Sequence, residues 1–398
     1  MKNLILLIIV SVLIGCTTSP SPVLPPKTLE PVKNSIQVSK MWTSKVGEGA
    51  GENYLRLTPV LEGNVIYTVD HTGTVLAFDV NRRDYIWKTE LGEPGGSPIA
   101  LHDGVLFLGT SAGQVFALAT SNGKVEWHTQ MASEILARPA VDHGRVVVRC
   151  VNGDLAALDA ATGKQLWLVE ERTPALTLRG TSTPQIYNDL VLSAFDSGKL
   201  KVYALTNGTQ LWEADIAVPR GRTDLERIVD LDADPVVRDD VVYTVAYQGR
   251  LAAVQLGSGR ILWQRDIDSY LDMVVDAYRI YIVSSTGEVW ALDRNNGATL
   301  WKQDALLRRG LTAPVIHRDF IVLGDYNGYL HWLRRDNGKL DARIRLQDYD
   351  YTSPSLDESE DNSFPKSRDI LAQPVLQGDR LLAMDRYGNT EVFEVTIP

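Results

Sequence analysis

Residues 109–113 read Gly-Thr-Ser-Ala-Gly, a match to the Gly-x-Ser-x-Gly turn that presents a nucleophilic serine at the top of an α/β sheet. That turn must run from a strand directly into a helix. The residues after Gly113, Gln-Val-Phe-Ala-Leu-Ala, form a β-type run instead, so Ser111 reads as a turn residue. Asp230-Leu-Asp232-Ala-Asp234 opens like a calcium loop, but Pro235 stands where the loop needs glycine and Val241 where it needs glutamate. The six histidines (71, 102, 128, 143, 317 and 331) show no metal-ligand spacing. Most lie near turn residues, where solvent exposure is expected. Cys150 closes the apolar run Val146-Val-Val-Arg-Cys150 and reads as a buried structural thiol. No catalytic residue, metal ligand or cofactor is expected. The formal net charge of −10 and the absence of Lys/Arg runs argue against a general nucleic-acid binder.

A repeat explains the two glycines of the opening motif. Fourteen residues before Trp87, Trp127, Trp167, Trp212, Trp263 and Trp301 stand Gly73, Gly113, Gly153, Gly198, Gly249 and Gly287. A similar step further back stand Pro59, Pro98, Pro139, Pro184 and Pro235, with Met273 in the sixth unit. A seventh unit runs Pro314, Gly328, Ala342, and an eighth reaches Pro374 and Gly388 before the chain stops. Short β-branched and alternating runs between turn residues mark each unit as four antiparallel strands. We label them a to d: a after the proline, b before the glycine, c after it, d carrying the tryptophan. Asn122-Gly123, Asn207-Gly208, Asn296-Gly297 and Asn337-Gly338 are expected to form type I′ hairpin turns. Four-stranded units of this length repeated eight times predict an all-β fold, a single eight-bladed β-propeller. Trp42 supplies the tryptophan that the eighth unit lacks, so the N-terminal strand is expected to close the ring. In unit 7 Trp332 stands where five other units have alanine, and Ala342 stands where they have tryptophan, which implies a volume-conserving exchange within one interface.

The ends of the chain add a location. Lys2 followed by the apolar run Leu4–Ile14 is too short to span a bilayer and reads as an export signal. It ends in Leu13-Ile-Gly-Cys16, which resembles the lipobox of bacterial lipoproteins; that resemblance implies cleavage before Cys16 and acylation of Cys16. Thr17 then implies the periplasmic face of the outer membrane, in a Gram-negative cell. The expected organisation is a signal peptide over 1–15, a lipidated cysteine and Pro-rich tether over 16–40, and the propeller over 41–398. With Cys16 lipidated, Cys150 has no partner for an intrachain disulfide.

Because each Pro-to-Trp block is nearly constant, variation collects in the links from strand d to the next strand a, all of which emerge on one face with the b–c turns. The links after blades 3 and 4 (168–183 and 213–234) are long and adjacent, and clustered insertions on one face mark a binding surface. In the first, Leu176 and Leu178 alternate with threonine beside Arg179, so they either form an outward hot spot or fold back onto the blades. In the second, Asp230 and Asp232 alternate onto one side. The acidic link of 343–373 reads as a solvated loop.

The stretch Ala157-Leu-Asp-Ala-Ala-Thr-Gly163-Lys-Gln-Leu-Trp167 is similar to the repeat of the pyrroloquinoline-quinone propellers. Quinoprotein dehydrogenases of that group resemble one another in a vicinal cysteine pair, calcium ligands and longer chains, none of which is found here. With its lipobox, tether and eight units, the chain instead resembles the BamB family of the outer-membrane β-barrel assembly (BAM) machinery along its whole length. The resemblance implies a non-enzymatic scaffold lipoprotein that binds the periplasmic POTRA domains of BamA and assists barrel folding and insertion, with nascent outer-membrane proteins as a further partner. It places the BamA contact at Leu176, Leu178 and Arg179, which match a family Leu-x-Leu-Arg-Gly pattern ending at Gly180, and at Asp230 and Asp232.

Overall fold

A computed structural model describes residues 24–174, 176–180, 182–219, 221–223, 225–346 and 368–396. Cys16 and most of the acidic link lie outside these residues. Eight four-stranded antiparallel sheets form the ring, each in the order a-b-c-d. The eighth sheet takes its outer strand from the N-terminus: Gln37–Lys45 pairs with Asn389–Thr396, and Trp42 lies opposite Val392. The closing strand thus begins at Gln37, inside the stretch read as tether. Residues 24–36 lie along blade 7 and the link before it: the Lys27 amide donates to Leu307 of that link (3.0 Å) and the Ser35 amide to Asp341 of the outer strand (2.9 Å).

Burial follows strand position. Strand b is buried on both faces, as in Val65–Val69 and Arg145–Arg149, because neighbouring blades cover both sides of each sheet. Strand d is the outer edge, and Asp84–Glu90 alternates between exposed and half-buried. Six tryptophans of strand d bridge to the next blade through Nε1, from Trp87 to the Thr120 carbonyl (2.8 Å) through Trp301 to that of Arg335 (2.9 Å). The indole fills the joint and its one polar atom finds an acceptor. The exchange in blade 7 keeps register: Trp332 is opposite Ala342, as Ala77 is opposite Trp87.

Two expectations need correction. The Asn-Gly pairs are not type I′ turns: each glycine has positive φ, from 68° to 72°, but none of the four asparagines does. They end four-residue loops in which the Gly123 amide donates to Ala119 and the asparagine side chain accepts from the residue after the glycine. The glycine is required twice over. It has positive φ, and a Cβ at Gly123 would lie 2.4 Å from the Trp87 ring. The type I′ dihedrals occur in the two-residue a–b turns, at Asp103-Gly104, His143-Gly144 and Asp239-Asp240. Second, His317 and His331 are buried, not solvated, because both belong to the close-packed strands of blade 7.

Candidate functional site

The opening motif is a b–c turn. Gly109 ends strand b of blade 2 (Val105–Gly109), Gly113 has φ +82°, and the Ser111 hydroxyl donates to the Pro94 carbonyl (3.2 Å). The next element is a strand, Gln114–Ala119, so Ser111 has neither the helix nor the base that a nucleophile needs.

The links after blades 3 and 4 do meet. The Leu178 amide donates to the Asp230 carboxylate, and the Ser182 hydroxyl to the Ala233 carbonyl at 3.1 Å. Leu176 and Leu178 are 47% and 41% exposed, so they do not fold back onto the blades. Arg179 is exposed and pairs with Glu134, from the link between blades 2 and 3. Asp230 and Asp232 share a side, as their alternation implied, but that side faces inward: both are buried, among Val229, Leu231 and Ala233. Alternation in sequence reveals that two side chains share a face but not which face is wet.

Beneath the first link lies a buried ion pair that sequence reading missed. Arg149, from strand b of blade 3, bonds to Asp196 of blade 4, and both side chains are 1% exposed. Gly180 rests on this pair: a Cβ there would lie 2.4 Å from Asp196 Oδ1 and 2.5 Å from Arg149 Nη2. The signal was present as a lone arginine in the run Val-Val-Val-Arg149-Cys150. Nearby, Lys201 bonds both oxygens of Glu171 (2.8 Å each), and the Tyr203 hydroxyl donates to the same carboxylate (2.9 Å).

These charges set the electrostatics of the site. Burial pushes the Asp230 carboxyl up to about 7; the Leu178 amide and Arg149 oppose the shift, and Asp232 and Asp196 add to it. Burial beside Asp272 likewise holds Asp234 above the ordinary carboxylate range. The two carboxylates stitch blades 4 to 6: the Thr183 amide donates to Asp234 (2.5 Å), and the Asp234 amide to Asp272 (2.7 Å). The triplet that opened like a calcium loop therefore spends Asp230 and Asp234 on backbone amides. Among the described residues no group of three or more His, Cys, Asp or Glu converges to hold a metal. A cavity of about 720 Å³ opens on this face beside Leu178 and Arg179, walled by Arg138, Asp234 and Asp272 among others.

The family model described as outer membrane protein assembly factor BamB matches residues 71–303. The chain is 35% identical to the protein of that name from Yersinia pestis, over 97% of each chain. It is 37% identical to the one from Escherichia coli K12, over 85% of this chain and 90% of the other. The crystal structure of BamB from Moraxella catarrhalis superposes with a TM-score of 0.78 at 21% identity, covering 90% of this chain and all of that one. Quinohemoprotein alcohol dehydrogenase from Comamonas testosteroni shares the fold at a TM-score of 0.68 and 11% identity, covering 92% of this chain and 77% of that one. The chain belongs to the family of outer membrane protein assembly factor BamB.

Proposed function

We propose that this protein is a non-enzymatic scaffold, anchored to the periplasmic face of the outer membrane through acylated Cys16, that docks on the POTRA domains of BamA and so assists the folding and insertion of β-barrel proteins. The observation that carries the reading is the pairing of exposure with rigidity in one link. Leu176, Leu178 and Arg179 stand in solvent, while the Asp230 carboxylate and the Arg149–Asp196 pair hold the same segment from beneath. Apolar anchors beside an arginine, held in place before binding, cost little entropy to dock. Asp230 and Asp232 act through the link, positioning it from the buried side. Relatives named as outer membrane protein assembly factors support the same role.

The test is capture of the BamA periplasmic domains by the full-length protein. Leu176→Ala combined with Arg179→Ala is expected to lower capture at least tenfold while the thermal midpoint stays within about 2 °C, since exposed side chains contribute little to folding. Undiminished capture would remove the assignment of this link.

A further inference from the structure

Arginines fix the place where the N-terminal segment leaves the ring. Arg308 Nε donates to the Pro25 carbonyl (2.7 Å), Arg309 Nη1 to that of Lys27 (3.4 Å) and Arg343 Nη1 to that of Glu30 (2.9 Å). Asn34 brackets Arg343, accepting from its amide at 3.0 Å and donating to its carbonyl at 3.2 Å. The Lys27 side chain pairs with Asp304 at 3.0 Å. Followed back from Gln37, the segment passes the outer strand of blade 7 (Leu340–Arg345) and ends against the link before that blade. This corner shares a face with the links after blades 3 and 4 but stands at the opposite rim, since blades 3 and 7 face each other across a ring of eight.

Cys16 stands eight positions before Leu24, a separation that an extended chain spans in roughly 28 Å at most. An acyl group on Cys16 keeps this corner within that distance of the lipid. The charge of the corner suits an anionic surface. Residues 304–345, blade 7 with its preceding link, hold eight Lys or Arg against five Asp, in a chain of net charge −10. The equivalent stretch of blade 3, residues 131–169, holds four Lys or Arg against four Asp or Glu. Arg308 and Arg345 are both exposed, and each spends Nε on a carbonyl, that of Pro25 (2.7 Å) and that of Asn327 (3.3 Å). Asn327 ties them into one cluster, because its side-chain oxygen accepts from Arg309 Nη2 (2.8 Å). Arg345 also packs on the Tyr329 ring, 5.6 Å from the centroid. Among the described residues no carboxylate pairs with Arg308 or Arg345. Arg308 holds φ +59°, a left-handed conformation that a non-glycine residue adopts at a cost. Leu24, next to Pro25, is 62% exposed.

We propose that this corner, Leu24 with Arg308 and Arg345, rests on an anionic phospholipid surface. The two guanidiniums bond headgroup phosphates, which match their forked donors, and Leu24 enters the interface beside them. Acyl chains alone hold a protein near a bilayer in any orientation. Two uncompensated charges and an apolar side chain close to the point of attachment select one. The ring then stands with blade 7 on the lipid and the links after blades 3 and 4 at the far rim, open to a partner. The inference rests on the acylation of Cys16 but not on the docking link, so it can fail separately from either.

The experiment takes the full-length protein purified from membranes into vesicles of phosphatidylethanolamine and phosphatidylglycerol, with a trace of phosphatidylglycerol carrying a photo-crosslinker on its headgroup. Labelling is expected to concentrate on residues 24–30, 304–310 and 343–345. Arg308→Gln with Arg345→Gln keeps a side-chain donor for each carbonyl and removes the charge. It should lower that labelling about fivefold or more at an unchanged thermal midpoint. Phosphatidylcholine in place of phosphatidylglycerol, with the crosslinker on its own headgroup, should lower it to the same extent. Labelling spread evenly around the ring, or unchanged in the double variant, overturns the proposal. So does its loss in Leu176→Ala with Arg179→Ala, which would put the lipid contact at the far rim. Mass spectrometry of the same sample reads the acyl chains on Cys16. A chain without them removes the anchor and this inference together, whereas an acylated chain labelled evenly removes this inference alone.

Discussion

One repeat position has two opposite solutions on the same face of the ring. Three residues before the b–c glycine stand Asp325, Asp385 and Asp70 in blades 7, 8 and 1, and Cys150, Phe195 and Ala246 in blades 3, 4 and 5. The aspartates close their own turns: Asp325 accepts from the amides of Asn327 and Tyr329 (2.9 Å each), and Asp385 from those of Tyr387 (2.9 Å) and Asn389 (3.0 Å). Each also holds a buried arginine, Arg309 at 2.7 Å and Arg368 at 3.0 Å. In blades 3 to 5 the position is apolar and buried. There the polar work passes to Asp230 and Asp234 of the link after blade 4, and to the Arg149–Asp196 pair, which joins strand b of blade 3 to the b–c turn of blade 4. In blade 3 the apolar turn is followed by the link of 168–183, which packs onto the Arg149–Asp196 pair at Gly180. That link then has an outer surface on which Leu176 and Leu178 can stand.

Single substitutions can break this contrast most forcefully at the buried charges. Asp325→Ala and Arg149→Ala should each cost about 3–5 kcal/mol in urea unfolding, because each strands a buried partner. The paired variants should then part company. Arg149→Met with Asp196→Leu should recover most of the loss, since only the pair is at stake. Arg309→Met with Asp325→Leu should not, because two turn amides and His331 still lack their acceptor. Equal recovery on both sides would erase the distinction between self-capped and link-covered turns.

A smaller effect concerns acid. The Asp230 carboxyl binds its proton more readily in the folded chain than unfolded, so its contribution favours folding at low pH and is lost as pH rises through about 7. Asp230→Asn keeps an acceptor for the Leu178 amide and removes the buried charge. It should stabilise the protein by about 1–2 kcal/mol at pH 8 and have no such effect near pH 4, as read from denaturation midpoints at the two pH values. Destabilisation at pH 8 would contradict the burial argument.

Weaker still, Cys150→Ala should cost about 1 kcal/mol, the loss of one small buried group, well below its counterpart Asp325→Ala. Burial also pushes the Cys150 thiol up to about 11, so maleimide should label it only after unfolding. Rapid labelling of the native protein would place it outside the core.

The ring was legible because its marks are large and periodic. Tryptophan fills each joint, the b–c glycine takes positive φ where a turn requires it, and Trp42 was the remaining piece for the last sheet. Even the exchange of Trp332 and Ala342 followed from conserved volume. The Asn-Gly turns misled because their glycine answers to a tryptophan on the neighbouring blade, a contact that no local turn rule contains. Asp230 and Asp232 misled because alternation carries no sign. The Arg149–Asp196 pair joins residues of different blades, so neither alone announced its partner. Residues 24–36 read as tether because their prolines and polar residues describe an extended chain equally well whether it is free or laid along an edge.

The central claim is that the face covered by the links after blades 3 and 4 meets BamA. Hydrogen exchange on the full-length protein, with and without the BamA periplasmic domains, tests it most directly. The account predicts slowed exchange confined to residues 176–180, 225–234 and the neighbouring Glu134 turn. Slowing over the self-capped turns of blades 7, 8 and 1, or at the c–d turns on the opposite face, with these links unchanged, would contradict it.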